Sequence, residues 1–218
     1  MNRPRFLQRV LMLLAAALLL LSEVPGRSWT GDSDGTDGLV SPQERREARE
    51  RVERSTILAL VDAHQRSADE GWRRQLADVI YEESIAAGVD PLMVAAIVAK
   101  ESSFRSRVVS RKGAVGLMQL RPFVAREIAE RRQLKWNGRE TLRRPELNVR
   151  LGASYYKQLV ERFERDPRLA LAAYHRGPTR VRRQLSRGTF GDSRYARNVL
   201  GLYQRLDARR RNQLLQRG

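Results

Sequence analysis

Apolar residues recur along much of this chain every three or four positions, separated by short polar breaks, which is the rhythm of amphipathic helices. From Trp72 to Ala87, Leu76, Val79, Ile80 and Ile85 fall broadly on one face, and Gly88 stops the run. Asp90 and Pro91 then open another helix, one as N-cap and the other at the first helical position. Upstream, Ser41-Pro42-Gln43-Glu44 has the form of a capping box. It starts a long helix, QERREARERVERSTILALVDAHQRSADE, whose charged first half is expected in solvent and whose apolar stretch is Ile57–Val61. Further helical patterns cover about 122–133, 146–164, 167–174 and 194–208. No clear period-2 run marks a strand, and no repeat of solenoid length is present. The pattern predicts a mainly α domain from about Trp72 onward.

The first residues break this rhythm. Arg3, Arg5 and Arg9 precede VLMLLAAALLLL, residues 10–21, the arrangement of an export signal. The apolar stretch is short for a membrane span, which needs about 20 residues. An uncleaved anchor is the alternative, because no clean A-x-A site follows. GRSWTGDSDGTDGLVS, residues 26–41, has the Gly, Ser and Asp content of a flexible linker. The expected organisation is a signal or anchor over 1–26, a linker over 27–41 and a charged helix over 42–71. A helical domain over 72–210 and a basic tail over 211–218 complete it. Either form of the N-terminus places the domain in the periplasm or cell envelope.

Composition narrows the chemistry. The 42 Lys and Arg against 25 Asp and Glu give a net charge of +17, which favours anionic partners without choosing among them. Export counts against nucleic acid. Cysteine is absent, which excludes disulfides, thiol nucleophiles, zinc–thiolate sites and a lipoprotein anchor. His64 and His175 are the only histidines, too few for a His-based metal cluster, and neither lies near a G-x-S-x-G turn. Carboxylates, hydroxyls and amides remain, and no cofactor or metal is expected.

Within AKESSFRSRVVSRKGAVGLMQLRP, residues 99–122, Glu101 ends an apolar run. Val94, Ile97, Val98 and Glu101 stand at i, i+3, i+4 and i+7, so the carboxylate shares the apolar face. A carboxyl held against apolar surface titrates at raised pH, as a general acid near neutrality requires. On this helix alone, a surface ion pair between Glu101 and Arg105 at i+4 is the better explanation of the residue. The neighbourhood shifts the balance: Ser102 and Ser103 add hydroxyls, and Gly113 and Gly116 permit a tight turn and close backbone approach. Met118 and Gln119 join adaptable apolar surface to an amide. An acid, hydroxyls, an amide and apolar surface are the parts of a sugar-binding cleft.

These motifs resemble the signature of the soluble lytic transglycosylases, relatives of goose-type lysozyme. The family pattern, Glu-Ser and then Ser-x-x-Gly-Ala-x-Gly-Leu-Met-Gln, is carried by Glu101-Ser102, Ser110, Gly113-Ala114 and Gly116-Leu117-Met118-Gln119. Asn148 and Gly152 are similar to the family's Asn-Ile-x-x-Gly helix, LALAAYHRGPTRV (residues 169–181) to its Ala-Tyr-Asn-Ala-Gly-Pro segment, and RYARNVLGLYQRL to its closing helix. The resemblance spans about residues 76–206. Two departures stand out: His175-Arg176 replaces the family's Asn-Ala, and Arg144 replaces an acidic residue before Pro145.

The resemblance implies a mainly α fold of the lysozyme-like α+β class, with an active-site cleft. It implies cleavage of the β-1,4 bond between N-acetylmuramic acid and N-acetylglucosamine, leaving 1,6-anhydro ends. Glu101 would be the single acid and base, in contrast to the usual two-carboxylate glycosidase. Gly116, Met118 and Gln119 would line the cleft, and Ser102 would hydrogen-bond the sugar. Tyr174 would orient Glu101, with Tyr195 a lesser contributor. The expected partner is the peptidoglycan glycan strand, met by a monomer working beside cell-envelope or secretion machinery. A non-catalytic wall-binding scaffold, prompted by His175-Arg176, and a hydrolytic muramidase are the competing expectations.

Overall fold

In the computed structural model, residues 41–216 are described and contain nine helices. The signal segment and the linker expected from the sequence lie outside the described residues, apart from Ser41. The helices are α1 (Pro42–His64), α2 (Glu70–Ala87), α3 (Pro91–Ser102), α4 (Pro122–Arg131), α5 (Arg139–Arg143), α6 (Pro145–Arg162), α7 (Pro167–Arg176), α8 (Pro178–Ser186) and α9 (Arg194–Leu215). Among the described residues the extended pairings are isolated bridges that tie Val115 to Val109 and to Leu120. The helical class expected from the sequence is the one observed.

Local chemistry sets most helix starts. Ser41 Oγ accepts from the Glu44 N–H at 3.1 Å while Glu44 Oε2 accepts from the Ser41 N–H at 2.7 Å, closing the capping box. Asp69 caps α2 through the Trp72 N–H, so this helix begins at Glu70, two residues before the apolar pattern does. Asp90 caps α3 through the Leu92 N–H at 2.9 Å. Gly88 ends α2 in the left-handed conformation, φ 68°.

Helix α3 is the centre of the fold. Its residues from Pro91 to Ala99 are all buried, so it is wrapped on every side rather than along one stripe. Helices α1, α2 and α9 pack around it. Helix α6 packs on α2 and on α7, and α9 also packs on α7 and α1. Val52, Ile57 and Val61 give α1 a place in this core. The charged helix is therefore part of the domain's packing, and its first half is not wholly solvated. Glu53 is buried there, bound by Arg210 Nη1 of α9 at 2.5 Å. Arg210 also donates to Asp90 and Asp207, joining α1, the cap of α3 and α9. Residues 211–215, read from the sequence as tail, continue α9.

Candidate active site

The acid stands where the core helix meets the surface. Ser103 and Phe104 follow with φ 51° and 65°, so the chain turns out of α3 through two left-handed residues that are not glycine. Contacts across the fold hold this turn. Phe104 is fully buried with the His64 ring edge-on at 5.3 Å, and Gln65 Nε2 donates to the Ser103 carbonyl at 2.6 Å. Arg105 does not reach Glu101 as an i+4 partner; its Nε donates to the Ser102 carbonyl at 3.0 Å. The ion-pair reading of Glu101 is thereby replaced by a different contact.

That contact is Tyr195, whose hydroxyl donates to Glu101 Oε1 at 2.6 Å. Burial pushes the Glu101 carboxyl up from 4.5 to about 7, against the smaller opposing effect of the Tyr195 hydrogen bond. The acid is thus partly protonated near neutral pH, with its hydroxyl partner fixed. Tyr174 and Tyr195 both titrate well above the ordinary phenol range, chiefly through burial and then through the nearby Glu101 charge. They remain neutral donors.

The expected order of the two tyrosines is reversed. Tyr174 donates to the Met118 carbonyl at 2.8 Å, so it braces the loop, while Tyr195 orients the acid. Both sit on the Glu101 side of the molecule, and sequence spacing could not say which hydroxyl arrives. Ser102 also differs from expectation: it is buried, and its Oγ donates back to the Val98 carbonyl at 3.2 Å. A serine on the inner face of a core helix satisfies itself on the helix backbone.

The loop from Val108 to Leu120 folds back on itself. Val115 and Leu120 exchange backbone hydrogen bonds at 2.9 and 3.2 Å, and the Gly116 N–H donates to the Val108 carbonyl at 2.9 Å. Asn148 of α6 pins it from below. Its Nδ2 donates to the Val115 and Leu142 carbonyls at 2.9 and 2.8 Å, and its Oδ1 accepts from the Met118 N–H at 2.8 Å. Gly116, at φ 82°, has no room for a Cβ, which would lie 2.2 Å from Asn148 Nδ2 and 2.5 Å from the Leu142 carbonyl oxygen. Met118 is fully buried against Gly152, where a Cβ would approach its Sδ to 2.3 Å. Met118 and Gly116 therefore build the loop from inside rather than presenting themselves to a ligand. Gln119 is half-buried, with Nε2 donating to the Val108 and Gly116 carbonyls, and it faces the groove described next.

A groove of about 900 Å³ runs between α4, α6, α7 and α8. Gln119, Tyr174 and His175 line it, and Phe123 and Tyr155 add aromatic surface. Lys112, Arg121, Arg131, Arg162, Arg176, Arg180 and Arg183 line it against only Glu127 and Glu161, so its field is positive. Glu101 is not on this wall. It is reached from it through one residue, because His175 lies flat on the Tyr195 ring, centroids 4.5 Å apart and planes at 11°. In the sequence the positive charge is visible only as an overall excess, and the His175 stack only as the departure from Asn-Ala at His175-Arg176.

A helical fold that carries one acid out of its core, beside a groove with aromatic and polar walls, defines the lysozyme-like class. The family model described as "Transglycosylase SLT domain" matches residues 78–195, more than half of the chain, and the chain belongs to this family. It is 45% identical over 80 residues to the endo-type membrane-bound lytic murein transglycosylase A of Klebsiella pneumoniae, covering 35% of this chain and 39% of that one. It is 36% identical over 94 residues to a putative soluble lytic murein transglycosylase of Haemophilus influenzae, covering 43% of this chain and 16% of that protein. The chain thus spans well under half of the curated relatives it matches. Among solved structures it is similar to an inactive mutant of the lytic transglycosylase Slt from Pseudomonas aeruginosa, with TM-score 0.54 and 26% identity over 76% of this chain and 33% of that one. It is also similar to the 70-kDa soluble lytic transglycosylase in complex with bulgecin A, with TM-score 0.55 and 25% identity over 77% of this chain and 31% of that one.

Proposed function

We propose that this protein is an exported peptidoglycan lytic transglycosylase that uses Glu101 alone as acid and base. The observation that carries this reading is a carboxyl group held at about 7 by burial, with a neutral tyrosine hydroxyl on one oxygen. In its protonated form Glu101 gives a proton to the glycosidic oxygen as the bond from that oxygen to C1 of the muramic acid breaks. The resulting carboxylate then accepts the proton of the C6 hydroxyl as O6 bonds to C1. The proton count closes, no water is consumed, and the product carries a 1,6-anhydro end. Tyr195 stabilises the carboxylate in the interval by donating to it.

The groove supports a polymeric, acidic substrate. A glycan strand laid along it would pass Gln119, Tyr174 and His175, with His175 leading through Tyr195 to Glu101. The cations of its walls favour the carboxylates of peptidoglycan stems. Both the cleft membership of Gln119 and the substrate contacts of Tyr174 belong to this proposal. Localisation in the envelope rests on the basic and apolar residues of the N-terminus.

The test is mass spectrometry of the fragments released from purified peptidoglycan. Anhydro ends are expected, and Glu101→Gln should release none. Reducing ends would make the protein a muramidase. Binding to peptidoglycan without any release by the unaltered protein would leave the scaffold reading.

A further inference from the structure

The two residues that depart from the family pattern, His175 and Arg176, both reach from the end of α7 to the start of α9. His175 lies flat on Tyr195, and Arg176 Nη2 donates to the Asp192 carbonyl at 3.2 Å, two residues before α9 begins. Tyr195 is the second residue of α9, and its hydroxyl meets Glu101. The ring that fixes the acid's partner is thus itself covered on one face by an imidazole, in offset or parallel contact of the kind aromatic rings favour.

We propose that His175 is a positioning residue for the Glu101–Tyr195 pair: its stacked ring holds the phenol at the angle from which the hydroxyl donates to the carboxylate, while Arg176 fixes the chain leading into α9. A hydrogen bond of 2.6 Å tolerates little rotation of its donor, so a ring that rocks on an uncovered face weakens it. Charged and titratable groups surround the stack. Arg176 on α7 and Lys112 on the loop from Val108 to Leu120 face His175 and, after burial, disfavour its protonated form; Tyr174 and Tyr195 face Glu101. His175 therefore meets Tyr195 as a neutral, flat ring near neutral pH, without a cation to compete for the carboxylate.

The role in turnover rests on the transglycosylase reading, but the positioning does not, and the experiment separates the two. The Glu101 carboxyl is followed by carbon-13 NMR in the full chain through a pH titration. Because the Tyr195 bond lowers the Glu101 midpoint, loosening it in His175→Ala should raise that midpoint by about half a unit. His175→Phe, which restores a flat ring, should return it to the original value. In a Tyr195→Phe background, His175→Ala should add nothing. An unchanged midpoint, a lowered one, or an equal shift in the Tyr195→Phe background would each overturn the proposal. In muropeptide release, His175→Ala should slow turnover several-fold, and His175→Phe should recover it. Loss of affinity with unaltered turnover would instead make His175 a substrate contact. If the titration behaves as expected but the unaltered protein releases nothing, the positioning stands and the transglycosylase reading fails.

Discussion

A carboxyl that titrates at about 7 in the fold and at 4.5 in the unfolded chain works against the fold it serves. Below pH 4.5 both states hold the proton and Glu101 carries no penalty. Between 4.5 and 7 the unfolded chain releases its proton first, so stability falls as pH rises, and above 7 the full cost of about 3 kcal/mol is present. Glu101→Gln is always uncharged and escapes this cost. Thermal melts should show it more stable than the natural chain at pH 8, with the two nearly equal at pH 4. Equal differences at both pH values would mean that burial does not set the carboxyl's titration. The proposed acid step needs the same proton, so release of glycan fragments should also decline as pH rises through about 7.

The loop between α3 and α4 owes its shape to α6. Asn148 spends three polar contacts on Val115, Leu142 and Met118, and Gly116 leaves the space through which the amide reaches them. Gly116→Ala must displace Asn148 or the Leu142 carbonyl and strain a positive φ, so a loss of about 2–4 kcal/mol is expected in urea unfolding. Gly138→Ala meets open space, but at φ 64° and ψ −144° it enters a region nearly reserved for glycine, so its cost of about 1–3 kcal/mol is strain without displacement. Much at this scale was legible because its causes are local: Ser41, Asp90, Pro91 and Gly88 act within a turn of themselves. Helices α5 and α8 were not. PTRVRRQLS buries only Val181, and the Gly177-Pro178 pair before it reads as a stop, although Pro178 opens a new helix. The candidate site was legible as motifs and illegible as contacts. Gly116, Met118 and Asn148 could be picked out from the sequence, but not that they brace one another. Likewise, that Tyr195 meets Glu101 while Tyr174 meets Met118 depends on contacts between residues 94 and 56 positions apart along the chain.

Across the molecule, the ends of the described chain meet in one charged cluster. Arg210 lies in the run Arg209-Arg210-Arg211, which composition alone assigns to solvent, yet it is buried between Glu53, Asp90 and Asp207. Burial disfavours its charge, but these carboxylates outweigh that effect and hold the guanidinium firmly protonated. Arg210→Ala would strip the enclosed Glu53 of its α9 partner and leave it Arg49 alone, costing about 2–3 kcal/mol. Arg209→Ala, at an exposed position, should stay within about 0.5 kcal/mol. Urea titrations of the two variants make the comparison, and similar losses would show that the cluster is not an enclosed one.

The Gln65 bond to the Ser103 carbonyl has a practical consequence for anyone trimming this protein. Residues 78–195, the span that matches the family model, omit α1 with Gln65 and His64 and cut α9 at Tyr195 itself. Such a fragment would keep Glu101, Gly116, Asn148, Tyr174 and Tyr195 but lose the parts that seat them, baring two sides of α3. The span by which a sequence is classified is here shorter than the span needed to set one proton in place. Expression boundaries therefore belong before Ser41 and after Leu215.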